Sequence, residues 1–264
     1  LLQIITKNIK MSKVLVIIKS RGIGDLCILS KYIQIISKHN SSKVSVLAQT
    51  NTRAKEILKH DPHVEEVVEL DEKGFFKIIE KIKPKKFDKS YIFSDSIRLY
   101  LISKFSGIKN IFHYKFFSKK GKNFFKTAKK FTENIFNVEI DSQTKIYCNN
   151  EDIKKAKKKF DINSNAKNII CGISASGPTK RWNIKNYIKL FQNLNKEMEC
   201  TFFLAGGLKD ENLIKEITSS SIGPNCISLS NLNIAEAIPI IASSQYYIGN
   251  DTGWGHICSG LNLK

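Results

Sequence analysis

Near its C-terminal end the chain reads QYYIGNDTGWGH over residues 245–256, a short apolar run followed by glycines, a carboxylate, a hydroxyl and an imidazole. The run 245–248 predicts a strand, and the residues from His256 onward predict a helix. A turn from strand to helix presents free N–H groups at the positive end of the helix dipole, where an anion can bind. The stretch therefore predicts a site for the phosphates of a nucleotide. The alternative is a tight turn in which Asp251 or Thr252 caps the helix.

Short apolar runs alternate with amphipathic segments along the chain. The first run, 13–18, is a continuous β-branched stretch, which is typical of a strand buried on both faces of a parallel sheet. The alternation predicts an α/β fold with doubly wound parallel sheets. The helix after the first strand has a predicted apolar face of Leu29, Tyr32, Ile33 and Ile36. Further strands are predicted at 43–48, 64–70, 89–93, 169–173, 200–204, 226–229 and 246–248, and helices at 52–59, 75–82, 97–105, 184–194, 210–218 and 234–242.

The alternation stops and restarts, which predicts two domains. We expect one Rossmann-like domain over 13–148, a linker over 149–165 and a second Rossmann-like domain over 166–264, with a ligand cleft between the carboxyl ends of the two sheets. Because Met11 directly precedes the first strand, residues 1–12 are expected to be a non-native or flexible extension.

The segment 116–130 is rich in lysine and phenylalanine and has little clear period. It is interpreted as a basic loop or an amphipathic helix. A solvated helix face and a membrane contact both remain open for it.

The basic residues indicate the kind of partner. The net charge is +19, yet arginine occurs only at Arg21, Arg53, Arg98 and Arg181. Nucleic-acid readers concentrate arginine, and no helix-turn-helix, zinc-finger or RNP pattern accompanies the charge, so no nucleic-acid partner is predicted. A basic surface that meets anionic lipid or attracts a phosphorylated substrate is favoured.

The cysteines and the apolar runs indicate in which cellular compartment the protein is expected. None of the six cysteines forms a Cys-x-x-Cys pair, so they are interpreted as buried, reduced side chains. No apolar run reaches the roughly 18 residues of a membrane span, and the N-terminus lacks a signal-peptide pattern. These features predict a cytoplasmic protein.

A second candidate site follows the first strand. The residues 22–27 begin like a dinucleotide fingerprint, but Cys27 stands where the third glycine belongs. The second strand also ends without the acidic residue that would hold a ribose, so no NAD site is predicted. One carboxylate remains there, Asp25, which is either a helix N-cap or a general base.

A third candidate site is the loop after the strand 169–173. It carries the hydroxyls of Ser174, Ser176 and Thr179 beside the cations Lys180 and Arg181. Such a loop can bind a pyrophosphate through hydroxyls, backbone N–H groups and two cations. It lacks Walker A spacing, and a basic capped surface loop is the alternative.

Taken together, these segments resemble the ADP-heptose:lipopolysaccharide heptosyltransferase family, glycosyltransferases of the GT-B fold. The resemblance runs from Lys13 to the end of the chain. It is carried by the segments 21–25, 61–64, 87–88, 96–98, 180–182, 206–207, 210–211, 233–236 and 251–253, together with His256.

The resemblance implies a role for each matching residue. Asp25 is implied to be the general base, and Lys180 to stabilise the departing diphosphate. The acceptor side is expected to include Gly24 and Arg98. Residues implied to line the nucleotide-sugar site are Glu211, Leu232, Asp251, Thr252, Gly253 and His256, with Ser174, Ser176 and Thr179 added from the loop.

The expected reaction is an inverting transfer of a heptose from ADP-heptose to a hydroxyl of a lipopolysaccharide core or another glycan. No Asp-x-Asp metal motif is present, so no cofactor is required, and a divalent metal is possible but not implied. A transferase with another donor sugar and an inactive nucleotide-sugar-binding module are the alternatives. The expected location is the cytoplasm, with peripheral contact at the inner face of the inner membrane.

The chain departs from the family pattern in two places. Asn183 stands where the family usually has proline. The sequence also stops at 260–264, where the family continues, so the second domain is expected to be truncated.

Overall fold

A computed structural model describes residues 12–19, 22–70, 74–115, 123–140, 143–162, 165–175 and 177–264. The chain divides into two compact units. The first comprises Leu1–Arg21, Leu29–Asn51 and Pro62–Ser142, and the second comprises Gly22–Ile28, Thr52–Asp61 and Gln143–Lys264. The second unit therefore includes two short segments from the first quarter of the sequence.

The first unit is built on a five-stranded sheet in the order β3-β2-β1-β4-β5, and every neighbouring pair is parallel. The elements in chain order are β1 (Val14–Ile18), α1 (Ile23–His39), β2 (Val44–Gln49), α2 (Ala54–Ile57), β3 (Val64–Leu70), α3 (Phe75–Ile82), β4 (Lys89–Phe93), α4 (Ile97–Phe105), β5 (Asn110–His113) and α5 (Phe124–Phe136). Helix α2 and the start of α1 belong to the second unit.

The core of the first unit explains the continuous apolar run in β1. All five side chains of β1 are buried, because a central parallel strand is covered on both faces. On one face, Leu15 and Ile17 join a cluster with residues of α3 and α4. The predicted apolar face of α1, Leu29, Tyr32, Ile33 and Ile36, is buried as expected.

The second unit has a four-stranded sheet in the order β8-β7-β6-β9, again parallel throughout. Its remaining elements are α6 (Asn150–Lys159), β6 (Lys167–Gly172), α7 (Ile184–Glu197), β7 (Cys200–Ala205), α8 (Glu211–Thr218), β8 (Cys226–Ser228), α9 (Ile234–Ala242), β9 (Tyr246–Gly249) and α10 (Gly253–Gly260). Its core includes Phe191 of α7 stacked on Phe202 of β7, with ring centroids 4.3 Å apart.

The α/β fold with parallel sheets is confirmed, and four local predictions need correction. Helix α2 spans only Ala54–Ile57 of the predicted 52–59, and β5 was not predicted because its four residues give no clear pattern. Helix α10 begins at Gly253, three residues before the predicted start. Helix α1 begins at Ile23, so Asp25 lies within its first turn and is not an N-cap.

Two predictions fall partly or wholly outside the described residues. Of the basic segment 116–130, the part from Phe124 onward is the start of α5, and 116–122 lies outside them. Residues 1–11 of the expected extension also lie outside them. The domain boundaries at 148 and 166 stay a prediction.

None of the six cysteines forms a disulfide, and Cys27, Cys171, Cys200 and Cys258 are buried. Burial raises the pKa of the Cys27 and Cys258 thiols to about 12. Within the described ranges, no helix combines the length and the apolarity needed to cross a bilayer.

Candidate functional site

The second unit brings two of the predicted segments together at the carboxyl ends of β6 and β9. These strands are adjacent and parallel. The chain runs from β6 outward through β7 to β8 and then returns to the other side of β6 as β9. In open α/β sheets, such a reversal of strand order leaves a crevice at the carboxyl ends where ligands bind. The loop after β6 and the turn after β9 both lie at this point.

Asn250 fastens the turn after β9 to the loop after β6. Its backbone N–H donates to Gly172 O at 2.9 Å, and its Nδ2 donates to Ile173 O at 3.0 Å and to Ser174 O at 3.1 Å. Its Oδ1 accepts from the Trp182 N–H at 3.0 Å. The residue is only 9% exposed, so these bonds are shielded from water. One buried amide therefore fixes both ends of the loop after β6.

Two tyrosine hydroxyls donate hydrogen bonds to backbone carbonyls at the ends of β6 and β9. The Tyr247 hydroxyl donates to Asn250 O at 2.8 Å, and the Tyr187 hydroxyl donates to Gly172 O at 3.4 Å. A Cβ at Gly172 would overlap the Tyr247 hydroxyl, so only glycine fits there. Burial, with a smaller contribution from Tyr247, raises the pKa of Tyr187 to about 12. The Tyr187 hydroxyl therefore stays protonated and available as a donor at neutral pH.

Lys180 and Asp251, the two residues predicted at this site from separate segments, form an ion pair. Lys180 Nζ lies 3.1 Å from Asp251 Oδ2, and the two side chains are 55% and 74% exposed. An exposed pair contributes only about 0–1 kcal/mol, so an incoming anion can displace the carboxylate from Lys180 at little cost.

Arg181, which follows Lys180, forms an ion pair with Asp210, a partner that the sequence analysis did not predict. Its Nη2 lies 3.4 Å from Asp210 Oδ1, and Asp210 Oδ2 also accepts from the Gly207 N–H at 3.0 Å. Asp210 is buried. Arg181 therefore ties the loop after β6 to the loop after β7, and Lys180 is the more exposed of the two cations.

The start of α10 agrees with the capping interpretation of the turn in position only. Thr252 occupies the N-cap position but makes no side-chain capping hydrogen bond. Asp251 precedes the cap and pairs with Lys180 instead. The positive end of the α10 dipole therefore lies next to the ion pair, as expected for an anion site.

The first turns of α1 and α10 lie against each other within the second unit. A Cβ on Gly24 would be 2.6 Å from His256 Cδ2, and one on Gly253 would be 2.8 Å from Ile23 Cβ. Both positions thus require glycine for close approach. Asp25 follows Gly24 directly, so the candidate base and the candidate donor residue His256 belong to neighbouring turns of one unit.

The remaining predicted residues are distributed as follows. Ser174 is half-buried after β6, and Thr179 is exposed beside Lys180 in a short 3-10 turn. Glu211 is exposed at the first position of α8, and Leu232 is half-buried just before α9. Ser176 lies outside the described residues, and Arg98 lies in the first turn of α4 in the first unit. In the part of the chain that the structure describes, no group of three His, Cys, Asp or Glu side chains could hold a metal ion.

Known structures share this fold. ADP-heptose LPS heptosyltransferase II from E. coli matches with a TM-score of 0.76 at 20% identity, over 95% of this chain and 82% of that chain. A glycosyl transferase family 9 protein from Veillonella parvula DSM 2008 matches with a TM-score of 0.80 at 13% identity, over 96% and 78%. E. coli heptosyltransferase WaaC, solved with ADP, matches with a TM-score of 0.66 at 13% identity, over 95% and 85%.

The sequence comparison identifies the family. No curated protein sequence matches the chain. A sequence model described as glycosyltransferase family 9 (heptosyltransferase) matches residues 112–264, more than half of the chain. This range contains the loop after β6, the ion pair and the turn before α10. The chain belongs to glycosyltransferase family 9, the heptosyltransferase family, and is a glycosyltransferase.

Proposed function

We propose that this glycosyltransferase moves a heptose from ADP-heptose to a hydroxyl of a lipopolysaccharide core or another glycan, with inversion at the transferred carbon. The observation that carries the proposal is the weak ion pair between Lys180 and Asp251 at the carboxyl ends of β6 and β9. Two solved structures of one relative support the donor class, because WaaC was solved with ADP and with ADP-2-deoxy-2-fluoro heptose.

The donor diphosphate is proposed to take the place of the Asp251 carboxylate at Lys180. The ammonium group then neutralises charge that grows on the diphosphate as the bond to the sugar breaks. The hydroxyls of Ser174, Ser176 and Thr179 and the start of α10 at Gly253 complete the anion site. Asp251, once released, is free to accept a hydrogen bond from a sugar hydroxyl.

The other donor residues are proposed to hold the nucleotide and the sugar. Glu211 and Leu232 stand at the starts of α8 and α9, on the same edge of the sheet as Lys180, while Thr252 and His256 flank the start of α10. A carboxylate suits ribose hydroxyls and an apolar side chain suits a base, so this edge offers both kinds of contact.

Asp25 is proposed as the general base, with Gly24 and Arg98 on the acceptor side. The carboxylate takes the proton from the acceptor hydroxyl while the hydroxyl oxygen attacks the anomeric carbon. The bond from that carbon to the diphosphate breaks, and ADP leaves with the electron pair beside Lys180. A single displacement of this kind inverts the configuration, and a general base typically contributes about 10²- to 10⁴-fold.

The proposed requirements and partners follow from this chemistry. Because Lys180 supplies the positive charge, the proposed reaction requires no metal or other cofactor. The proposed partners are the nucleotide-sugar donor, a lipid-linked or core glycan acceptor and an anionic membrane surface, with no nucleic acid. The proposed location is the cytoplasm, at the inner face of the inner membrane.

The proposal is tested with a panel of nucleotide sugars and a lipopolysaccharide core acceptor, using mass spectrometry of the product under single-turnover conditions. We expect the acceptor to gain one heptose from ADP-heptose and nothing from UDP- or GDP-sugars. NMR of the product should show the inverted anomer. Transfer of another sugar would replace the donor assignment, and donor binding without transfer to any glycan would indicate a binding module.

A further inference from the structure

The segment 52–61 lies between β2 and β3 in the sequence, yet it belongs to the second unit. It contains α2, which packs against α9 and whose Ala54 and Ile57 are buried. Just after α2, His60 Nε2 lies 2.9 Å from Asp152 Oδ2 of α6. Apolar packing and a polar contact therefore hold this segment against two helices of the second unit.

Glu56 of α2 binds the start of α9. Its Oε2 accepts a hydrogen bond from the Ile234 N–H at 2.7 Å, although the two residues are 178 positions apart in the sequence. Ile234 is the first residue of α9, so its N–H has no partner within the helix. The Glu56 side chain is 23% exposed, and a carboxylate makes a stronger hydrogen bond to an N–H than a neutral oxygen does. A distant segment therefore fixes the first residue of α9.

Arg53 holds the other carboxylate oxygen of Glu56. Its Nη1 lies 3.3 Å from Glu56 Oε1, and its own side chain is 55% exposed. With Oε1 paired to Arg53 and Oε2 bonded to α9, each oxygen of the carboxylate has a partner. The orientation of the Glu56 side chain is therefore fixed from both sides.

The residue proposed to meet the base of the donor, Leu232, lies two positions before the N–H that Glu56 binds. The Leu232 N–H donates to the carbonyl oxygen of the fully buried Leu229 at 3.0 Å. Between Leu232 and α9, Asn233 exchanges two capping hydrogen bonds with Glu236, at 2.9 and 3.0 Å. The short loop that carries Leu232 is thus anchored by a buried residue at one end and by Glu56 at the other.

We propose that Glu56 is a positioning residue for the base of the donor nucleotide, because its bond to the Ile234 N–H fixes Leu232 for contact with the base. This inference rests on the proposed function, in which Leu232 meets the base. Glu56 acts through the loop and does not touch the nucleotide. The diphosphate site at Lys180 is anchored separately by Asn250, so loss of Glu56 should affect the base and not the diphosphate.

Titration of the full chain with two ligands that differ only in the base tests the proposal. The ligands are ADP and ribose 5-diphosphate. In Glu56→Ala, the preference for ADP over ribose 5-diphosphate should fall by roughly fivefold or more, while the affinity for ribose 5-diphosphate stays unchanged. A residue that only caps α9 would lower the free energy of unfolding and leave this preference as it is. That result would overturn the proposal.

Two further variants identify the contact that matters. Glu56→Gln keeps an oxygen that can accept from the Ile234 N–H, so it should retain most of the preference that Glu56→Ala loses. Arg53→Asn removes the ion pair, and Asn tolerates the positive φ of 55° at this position, so its effect should be smaller than that of Glu56→Ala. Equal losses in Glu56→Gln and Glu56→Ala would overturn the role of the hydrogen bond.

Leu232→Ala separates a failure of this inference from a failure of the proposed function. If Leu232→Ala loses the preference for ADP and Glu56→Ala does not, the positioning role is wrong and the base contact stands. If Leu232→Ala keeps the preference, the base contact is wrong, and the positioning role fails with it.

Hydrogen exchange of the unmodified chain covers the case in which Glu56→Ala does not fold. A base that packs on Leu232 should make the loop and its anchor open less often. ADP should therefore slow amide exchange at Ile234 and in α2 more than ribose 5-diphosphate does. Equal protection by the two ligands would contradict the proposal.

Discussion

The two units share one scaffold and differ in how charge is arranged on it. In the first, the sheet order is β3-β2-β1-β4-β5, and in the second it is β8-β7-β6-β9. In each unit the first strand lies in the interior of the sheet. The chain adds strands on one side of it and then crosses once to its other side. Each sheet consequently offers a ligand position at the carboxyl ends beside that strand.

The charged groups of the two units are organised in different ways. In the second unit, the cations Lys180 and Arg181 already have carboxylate partners, and Asn250 holds the loop that carries them. In the first unit, Lys126 and Lys130 of α5 have no carboxylate partner among the described residues. The cations of the second unit are thus held in place by contacts within the protein, whereas the two lysines of α5 are exposed to solvent.

The largest expected effect concerns the base. Asp25→Asn keeps the shape of the side chain but removes the proton acceptor, so turnover should fall by about 10²- to 10⁴-fold. Donor affinity and melting temperature should stay near those of the unmodified protein. Asp161→Asn is the matched control, because Asp161 is exposed and has a positive φ of 45° that Asn also tolerates. Normal turnover in Asp25→Asn would exclude Asp25 as the base.

Thiol labelling tests the packing of the second unit separately from that of the first, because all six cysteines lie in the second unit. Burial raises the pKa of Cys27 and Cys258 to about 12, so at pH 8 their thiolate fraction is about a thousandfold below that of an ordinary thiol. We expect mass spectrometry to find both unlabelled by iodoacetamide until the second unit unfolds. Rapid labelling in the native protein would contradict the packing described for this unit.

The same shifts predict the direction of the pH dependence of stability. The unfolded chain loses these thiol protons near pH 9 and the folded chain only near pH 12, so the unfolded state binds fewer protons between these values. The free energy of unfolding should therefore fall as the pH rises from about 9 to about 12.

A smaller effect is expected when the side-chain amide of Asn250, which anchors the loop after β6, is removed. Asn250→Ala leaves the buried Ile173 carbonyl, the half-buried Ser174 carbonyl and the Trp182 N–H without their partner, which should cost about 1–3 kcal/mol of unfolding free energy. ADP should also bind more weakly, because the loop after β6 loses its anchor. Urea unfolding and ADP titration measure the two effects. The exposed Asn186→Ala on α7 is the control, and equal behaviour of the two variants would contradict the anchoring role.

Local patterns were sufficient to predict most of the fold. The β-branched runs and the amphipathic spacing predicted every strand except β5, and α3, α4 and α9 have their predicted bounds. The start of α10 was missed because Gly253 and Gly255 resemble turn residues. In the structure they are helical, and their missing side chains let α10 approach Ile23 and Tyr247.

The candidate site was predictable only in its exposed parts. Lys180 and Asp251 stand out because charged side chains follow buried strands in a loop rich in small residues. Asn250 was missed, because an asparagine after a strand looks like an ordinary turn residue. Most of its hydrogen bonds are with the segment 172–182, about 70 positions away, and no local pattern indicates such contacts.

A fluorescence titration with ADP tests the central claim that the second unit binds the donor diphosphate. Both tryptophans, Trp182 beside the loop after β6 and Trp254 in the first turn of α10, belong to this unit. We predict a saturable change with ADP whose apparent Kd rises by roughly tenfold or more in Lys180→Ala, and stays unchanged in Lys189→Ala, an exposed lysine of α7. An unchanged signal with ADP, or equal affinities in Lys180→Ala and the unmodified protein, would contradict this account.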